Sequence, residues 1–163
     1  GYPLRVIVPG YIGINNIKWL KNIVLSNKDI DSIWEKGINY KIIKNYDNNI
    51  DLSNYPTIKN INIQTCITNV NKLNNKIKGY AISNTKIKKV EISIDYGNTW
   101  IKTNIISPKD WLLILWEINY DIKNIKEIWC RAESYDGIMN TESLDEGWNI
   151  RGICNDSIYK KYM

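Results

Sequence analysis

The arginines of this chain mark the places where its residues could bind an anion. Arg5, Arg131 and Arg151 are the three arginines among 22 basic residues, and lysine supplies the other positive charges. Arg5 lies in the unusual segment of residues 1–10, and Arg151 lies in residues 147–152. A guanidinium is a planar, permanently charged, two-pronged donor that suits oxyanions. Arg5 and Arg151 therefore predict two edges of an anion-binding site.

Two of the arginines also have a structural interpretation. Arg131 lies on a predicted strand, where we expect a surface or inter-sheet ion pair, with Glu133 as its neighbour on the same face. We assign no function to it. For Arg151, an ion pair with Asp145 or Glu146 at the end of a strand is the alternative to anion binding.

The cysteines do not predict a metal site or a disulfide framework. Cys66, Cys130 and Cys154 are far apart and unpaired in spacing, and the chain has no histidine. A structural zinc site and a histidine-based catalytic triad are therefore excluded on residue type. We interpret each cysteine as a small, buried apolar residue.

Length and charge limit the possible classes of protein. The 163 residues suffice for one domain, or for one domain and a piece of another. The net charge of +5 comes from dispersed lysines, which does not predict a nucleic-acid partner. No apolar run approaches the ~20 residues of a membrane span. Because the chain begins with Gly1 and soon enters a strand-like run, we expect a piece of a longer protein with any targeting signal upstream.

The segment before Tyr55 and Pro56 differs from the rest of the chain. Residues 4–8 predict a strand, a loop containing Gly13 follows, and residues 17–25 form a mixed apolar segment that could be a strand or a short helix. Residues 45–54 are rich in Asn and Asp, which is typical of a solvated loop or linker.

After Pro56 the pattern is that of short strands. Apolar and polar residues alternate in residues 61–67, 90–95 and 128–133. Residues 95–98 and 136–137 carry turn residues. The continuous apolar run from Trp111 to Trp116 predicts a strand buried on both faces. Together these features predict a mainly β fold, an immunoglobulin-like antiparallel β-sandwich. We interpret the tryptophans as core-packing residues rather than ligand contacts.

Several of these pieces occur in an order that resembles a known family. They are Gly79-Tyr80-Ala81, residues 90–100, Trp111 to Trp116, residues 131–134 and Trp148-Asn149-Ile150-Arg151-Gly152. The order is similar to the dimerisation domain of the sulfite oxidase and assimilatory nitrate reductase family. Residues 1–13 and 17–20 resemble the end of that family's molybdenum-cofactor domain. The resemblance implies that residues 1–54 are a remnant of this α+β domain with a linker, and that residues 55–163 form the immunoglobulin-like dimerisation domain.

The resemblance also implies roles for particular residues. Arg5 and Lys18 would bind the molybdenum-pyranopterin cofactor, chiefly at its phosphate, and Asn16 and Ile17 would help to hold it through their backbone. The family's molybdenum-ligating cysteine would lie upstream, so the isolated chain is not expected to be active. Arg151 would bind the substrate oxyanion. Nitrate reductases usually carry methionine there, so this arginine favours a sulfite-oxidising parent.

The whole protein implied by the resemblance oxidises sulfite to sulfate and passes two electrons to a cytochrome or to oxygen. It would form a homodimer through the sandwich, and the resemblance favours the mitochondrial intermembrane space. The dispersed charge and the lack of a long apolar run predict no nucleic-acid or membrane partner. A non-catalytic β-sandwich serving as a structural or protein-interaction module is the alternative, because Asn15 stands where the family tends to have arginine. An extracellular adhesion-type sandwich is disfavoured by the lack of disulfides and of a signal.

Overall fold

Two antiparallel sheets form the body of the protein. The computed structural model describes residues 1–28, 30–44, 49–108 and 112–163. The strands of this described part are β1 Gln64–Asn71, β2 Lys76–Ile82, β3 Ile87–Ser93, β4 Ile101–Lys102, β5 Asn104–Ile105, β6 Leu113–Asn119, β7 Glu127–Ser134 and β8 Tyr159–Tyr162. One sheet has the order β1-β2-β6-β5 and the other β4-β3-β7-β8. The predicted mainly β, antiparallel sandwich is confirmed.

The core lies between the inner faces of the two sheets. In β7, Ile128, Cys130 and Ala132 are almost completely buried, and in β3 Val90 and Ile92 are completely buried. The residues between them on each strand are only partly buried because successive side chains of a strand point to opposite faces. The alternation predicted for these strands is therefore confirmed. Cys130 is one of the buried apolar residues, as expected.

Trp116 fills the centre of the core against Gly79 of the neighbouring strand. Core packing, which we expected of the tryptophans, is confirmed for Trp116 and was wrong for the exposed Trp19, Trp34 and Trp148. The two residues are opposite each other in the register of β2 and β6, and Trp116 is completely buried. A Cβ atom at position 79 would lie 2.3 Å from Cζ2 of the Trp116 ring. Only glycine leaves room for the indole here.

The prediction for residues 111–116 was wrong in one respect. Trp111 lies outside the described residues, but the rest of the run forms the start of β6, in which Leu113 and Leu115 are 42% and 47% exposed. Ile114 and Trp116 face the core. The strand pairs on both sides within an antiparallel sheet, so one of its faces stays open to solvent.

The first 58 residues contain only short elements where they are described. These are α1 Ile33–Lys36 and single 3-10 turns at Gly13–Asn15, Ile38–Tyr40 and Leu52–Asn54. The strand predicted for residues 4–8 was wrong, since the segment pairs only through a bridge between Arg5 and Lys18. Pro3 and Pro9 flank it and lack the N–H groups that a longer ladder needs. Residues 17–25 form neither the strand nor the helix considered for them.

Backbone hydrogen bonds attach this N-terminal part to the sandwich. Ile61 N–H donates to the Gly10 carbonyl oxygen at 2.8 Å, and Ile12 N–H donates to the Lys59 carbonyl oxygen at 2.9 Å. Gly10 has a φ of +82°, and a Cβ there would lie 3.0 Å from the Asn84 carbonyl oxygen. Residues 49–54 form a loop with one 3-10 turn, as expected, while residues 45–48 lie outside the described residues.

The predicted turns are present, and the helices are short. Asn98 N–H donates to the Asp95 carbonyl oxygen at 3.3 Å, and Gly137 N–H donates to the Ser134 carbonyl oxygen at 3.1 Å. The second helix, α2, spans Leu144–Gly147. Among the described residues, no helix has the length and apolar character required to span a bilayer.

Candidate anion-binding site

Arg5 and Lys18 lie opposite each other in an antiparallel bridge. Backbone hydrogen bonds close the bridge on both sides, from Val6 N–H to the Ile17 carbonyl oxygen at 3.0 Å and from Leu20 N–H to the Leu4 carbonyl oxygen at 3.1 Å. Both basic side chains are exposed. Two of the residues predicted to bind the cofactor are thus brought together by local pairing across a loop.

The charges of this pair are not neutralised by the described part of the chain. No described carboxylate lies within ion-pair distance of Arg5 or Lys18. Like charges that face each other across a pair of strands repel, and an anion between them relieves the repulsion. A guanidinium next to an ammonium matches the phosphate of a pyranopterin cofactor. The residues present therefore fit the phosphate end of that group.

Asn16 shapes the loop between the two basic residues. Its side-chain oxygen accepts a hydrogen bond from Val8 N–H at 2.7 Å, and its carbonyl oxygen accepts one from Arg5 Nε at 3.3 Å. Its own N–H donates to the Gly13 carbonyl oxygen at 3.1 Å. The backbone of Asn16 is thus engaged within the chain, and the geometry gives this residue a bracing role. The cofactor contacts expected of Asn16 and Ile17 stay a prediction.

The close approach of Gly1 also belongs to this region. A Cβ atom at Gly1 would lie 2.6 Å from the backbone nitrogen of Trp19 and 2.7 Å from Cβ of Lys18. Trp19 itself has a φ of +54° and is 71% exposed. The first residue is therefore packed directly against the backbone that carries Lys18, and only glycine fits there.

Arg151 is held in a tight turn after α2. Gly152 N–H donates to the Asn149 carbonyl oxygen at 2.8 Å, so that Ile150 and Arg151 occupy the middle of the turn. Gly152 continues the chain with a φ of +68°, a region that glycine adopts without strain. The side chain of Arg151 is exposed.

The guanidinium of Arg151 contacts a neutral partner. Its Nη2 donates to Oδ1 of Asn39 at 2.9 Å, and Asn39 belongs to the 3-10 turn at Ile38–Tyr40. The ion pair with Asp145 or Glu146 that we considered is not formed among the described residues. The contact instead joins the sandwich to the segment before it.

Asn149 fixes this turn, a role that no pattern in the sequence predicts. The side chain is 1% exposed. Its oxygen accepts from Ile43 N–H at 3.1 Å and from Arg151 N–H at 3.3 Å, and its nitrogen donates to the Ile153 carbonyl oxygen at 2.9 Å. Ile150 N–H also donates to the Ile43 carbonyl oxygen at 2.9 Å. The turn is therefore locked to a segment more than 100 residues away in sequence.

The loops next to Arg5 and Arg151, the two predicted edges of the site, line the same cavity. A cavity of about 480 Å³ lies between residues 12–14 on one side and residues 152–154 on the other. Tyr40 and Asn62 complete part of its wall. The side chains of Arg5, Lys18 and Arg151 are not among the residues that line it. The structure therefore brings together the loops of the two edges without joining their basic side chains.

Arg131 is engaged in a structural pair, as expected, although its partner is Glu91. The Nε atom of Arg131 lies 2.9 Å from Oε2 of Glu91, which is directly opposite on β3, and the guanidinium carbon lies 3.9 Å from the centre of the Trp100 ring. Glu133 pairs with lysines instead. Burial opposes the ionisation of Glu91, but hydrogen bonds from Lys89 and Arg131 outweigh it and hold the pKa of Glu91 below its ordinary value. The pair lies within one sheet.

The remaining two cysteines are only half-buried, so the interpretation of each cysteine as a buried residue was wrong for them. Cys66 lies on β1 and Cys154 follows the turn that carries Arg151. Burial raises the pKa of the Cys154 thiol. In the described part of the chain, no group of three histidine, cysteine or acidic residues is placed to hold a metal ion.

Two family models match this chain. The model of the Mo-co oxidoreductase dimerisation domain matches residues 50–163, and the model of the oxidoreductase molybdopterin binding domain matches residues 1–34. The first match covers the whole sandwich and the turn of Arg151. The second covers the bridge between Arg5 and Lys18.

Sulfite oxidases and nitrate reductases both align with nearly the whole chain. A sulfite oxidase of Arabidopsis thaliana is 29% identical over 98% of this chain and 46% of that protein. A sulfite oxidase of Gallus gallus is 27% identical over 98% of this chain and 38% of that protein. A nitrate reductase [NAD(P)H] of Hordeum vulgare is 29% identical over 98% of this chain and 21% of that protein. This chain therefore spans less than half the length of these relatives.

A solved structure has the same fold. The sulfane dehydrogenase SoxCD from Paracoccus pantotrophus superposes with a TM-score of 0.73 at 21% identity, over 98% of this chain and 43% of that chain. With the family model matched along the entire sandwich, the chain belongs to the Mo-co oxidoreductase dimerisation domain family, within the group of sulfite oxidases and assimilatory nitrate reductases that its sequence resembles.

Proposed function

We propose that this chain is the C-terminal portion of a molybdenum-dependent oxidoreductase that oxidises sulfite to sulfate, and that Arg151 binds the substrate oxyanion. The observation that carries the proposal is the state of Arg151. Its guanidinium is exposed, is held by a neutral amide oxygen and has no described carboxylate partner, so its charge is available to an anion. A sulfur oxyanion accepts paired, charge-assisted hydrogen bonds from such a group.

The role proposed for Arg151 is electrostatic. A fixed guanidinium attracts and orients an oxyanion, and it stabilises negative charge without taking part in bond formation. The tight turn and the Asn39 contact restrict the side chain before substrate arrives, which lowers the entropic cost of binding. The electrons pass to an acceptor that we propose to be a cytochrome or oxygen.

We propose that Arg5 and Lys18 bind the phosphate of the molybdenum-pyranopterin cofactor. When bound, that cofactor supplies the two-electron redox chemistry of the enzyme. The two basic residues anchor it by charge, and Asn16 braces the loop that keeps them opposite each other. The match of residues 1–34 to a molybdopterin-binding family model supports this assignment. In the same proposal, residues 1–54 belong to the cofactor domain and its linker, and residues 55–163 form the dimerisation domain.

The substrate is tested by replacing Arg151 in the full-length protein. Arg151→Met removes both the charge and the paired donors, so we expect KM for sulfite to rise by about 100-fold, with Arg151→Lys intermediate because it keeps a point charge. The assay is steady-state sulfite oxidation, with nitrate reduction measured on the same preparations. Unchanged turnover at sub-saturating sulfite in Arg151→Met, or a wild-type protein that reduces nitrate and does not oxidise sulfite, would contradict the proposal.

We also propose that a second copy of the chain packs on the outer face of the sheet β1-β2-β6-β5. An apolar patch lies there, formed by Ile82, Ile106, Leu113 and Leu115. Ile106, Leu113 and Leu115 are 53%, 42% and 47% exposed, and Ile82 is opposite Leu113 in the register. An exposed cluster of this kind is typical of a protein interface. The family model for a dimerisation domain favours a second copy as the occupant.

The homodimer surface is tested by one charge in the patch. Leu115→Glu places a carboxylate in the proposed interface, so we expect the mass measured by sedimentation equilibrium to fall from dimer to monomer. Leu73→Glu is the matched control, because Leu73 is 98% exposed in the turn between β1 and β2. A dimer that survives Leu115→Glu would place the interface on another face.

A further inference from the structure

We infer that Asn39 is a positioning residue for Arg151, and that its neutrality keeps the arginine available to an anion. The inference rests on the proposed role of Arg151. It adds a residue from the segment before the sandwich to the substrate site. Asn39 is half-buried, and its Oδ1 accepts from Nη2 of Arg151 at 2.9 Å.

The same hydrogen bonds that hold the turn of Arg151 also place Asn39. Asn39 lies four residues before Ile43. The Ile43 N–H donates to the side-chain oxygen of Asn149, and the Ile43 carbonyl oxygen accepts from Ile150 N–H. Segment 39–43 thus contacts both the backbone of the turn and the guanidinium that the turn presents. A shift of this segment would move both contacts, so the segment determines the position of Arg151.

The chemistry of the amide explains why asparagine suits this position. An amide oxygen orients a guanidinium through one hydrogen bond and leaves its full positive charge. A carboxylate of the same shape would form a stronger, charge-assisted bond and would compete with the substrate for the same donors. An apolar side chain would leave the guanidinium without an orienting contact. Asparagine alone among these three holds the arginine without neutralising it.

The test compares Asn39→Asp with Asn39→Ala in the full-length protein. Asn39→Asp changes an amide to a carboxylate of nearly the same shape, and we expect KM for sulfite to rise by about 10- to 100-fold while kcat changes little. We expect the dissociation constant of sulfate, measured by isothermal titration calorimetry on cofactor-free protein, to rise by a similar factor. Asn39→Ala should weaken sulfate binding less, because it removes orientation and adds no charge.

The matched control is Asn155→Asp. Asn155 is exposed, follows Arg151 by four residues and uses its side-chain oxygen to accept a hydrogen bond from Ser157 N–H at 3.0 Å, which a carboxylate preserves. It therefore adds the same charge to the same loop region without contacting the guanidinium. We expect less than about a 3-fold change in sulfate affinity, because exposed charges that are not in contact are screened.

The outcomes separate the two proposals. If Arg151→Met weakens sulfate binding but Asn39→Asp weakens it no more than Asn155→Asp does, Asn39 has no positioning role and the proposed function of Arg151 stands. If Arg151→Met itself leaves sulfate and sulfite binding unchanged, the proposed function fails. A lower urea midpoint for Asn39→Asp with unchanged sulfate affinity would show a structural role and overturn the inference.

Discussion

The hydrogen bonds of the buried Asn149 side chain predict a large loss of stability when that side chain is truncated. In Asn149→Ala, Ile43 N–H and the Ile153 carbonyl group lose their partners. Ile43 is completely buried, whereas Ile153 is half-buried and can be hydrated. A buried group left unsatisfied costs about 1–3 kcal/mol, so we take about 2 kcal/mol for the Ile43 amide and about 1 kcal/mol for the carbonyl. The expected fall in the free energy of unfolding is about 3 kcal/mol.

The assay is urea unfolding followed by tryptophan fluorescence. With a denaturant slope of about 2 kcal/mol per molar urea, the midpoint should fall by about 1.5 M. Asn155→Ala is the control, because its exposed side chain accepts one hydrogen bond and should cost less than about 1 kcal/mol. Hydrogen exchange adds a local measurement, in which the Ile43 amide should lose its protection in Asn149→Ala. If both variants lose the same stability, or if Ile43 is unprotected in the wild type, the reasoning is refuted.

Three further predictions concern the sandwich. Gly79→Ala should lower the free energy of unfolding by at least about 2 kcal/mol in urea, because the new methyl group would lie 2.3 Å from the Trp116 ring, and an unchanged midpoint would contradict this. Hydrogen bonds from Thr99 lower the pKa of Asp95 to about 2, so the stabilisation is present above the ordinary aspartate pKa and is lost as pH falls towards 2. The difference in urea midpoint between wild type and Asp95→Asn should therefore shrink from pH 6 to pH 2, and a constant difference would count against it. Burial raises the pKa of the Cys130 thiol, so alkylation at pH 8, followed by mass spectrometry, should modify Cys130 only after unfolding.

The strands of the sandwich could be predicted because one face of each strand is buried. Ile128, Cys130 and Ala132 alternate with partly exposed residues, and a period of two is visible in the sequence. The run that starts β6 shows no period of two, because apolar residues occupy both faces of the strand. Leu113 and Leu115 look like core residues in the sequence and lie on the outer face in the structure. Their exposure depends on what covers the sheet, which local sequence does not encode.

The candidate site was predictable only in part. Arg5 and Lys18 could be paired from their motifs, and the structure puts them opposite each other. The hydrogen bond between Ile43 and Asn149 could not be predicted, because it joins segments 106 residues apart and involves one asparagine in an asparagine-rich chain. Asn39 was missed for the same reason. Side-chain hydrogen bonds between segments this far apart in sequence become visible only when the tertiary structure fixes both partners.

The partners of the three arginines explain why scarce arginine was informative in a lysine-rich chain. Arg131 is neutralised by Glu91, at a position where a strong ion pair links two strands of one sheet. Arg5 and Arg151 are each oriented by an uncharged oxygen, a backbone carbonyl for the first and the amide of Asn39 for the second. An uncharged acceptor fixes the direction of a guanidinium and leaves its charge for another ligand, which a carboxylate does not do. The two arginines that the sequence assigned to anions are therefore the two whose charge the described chain leaves uncompensated.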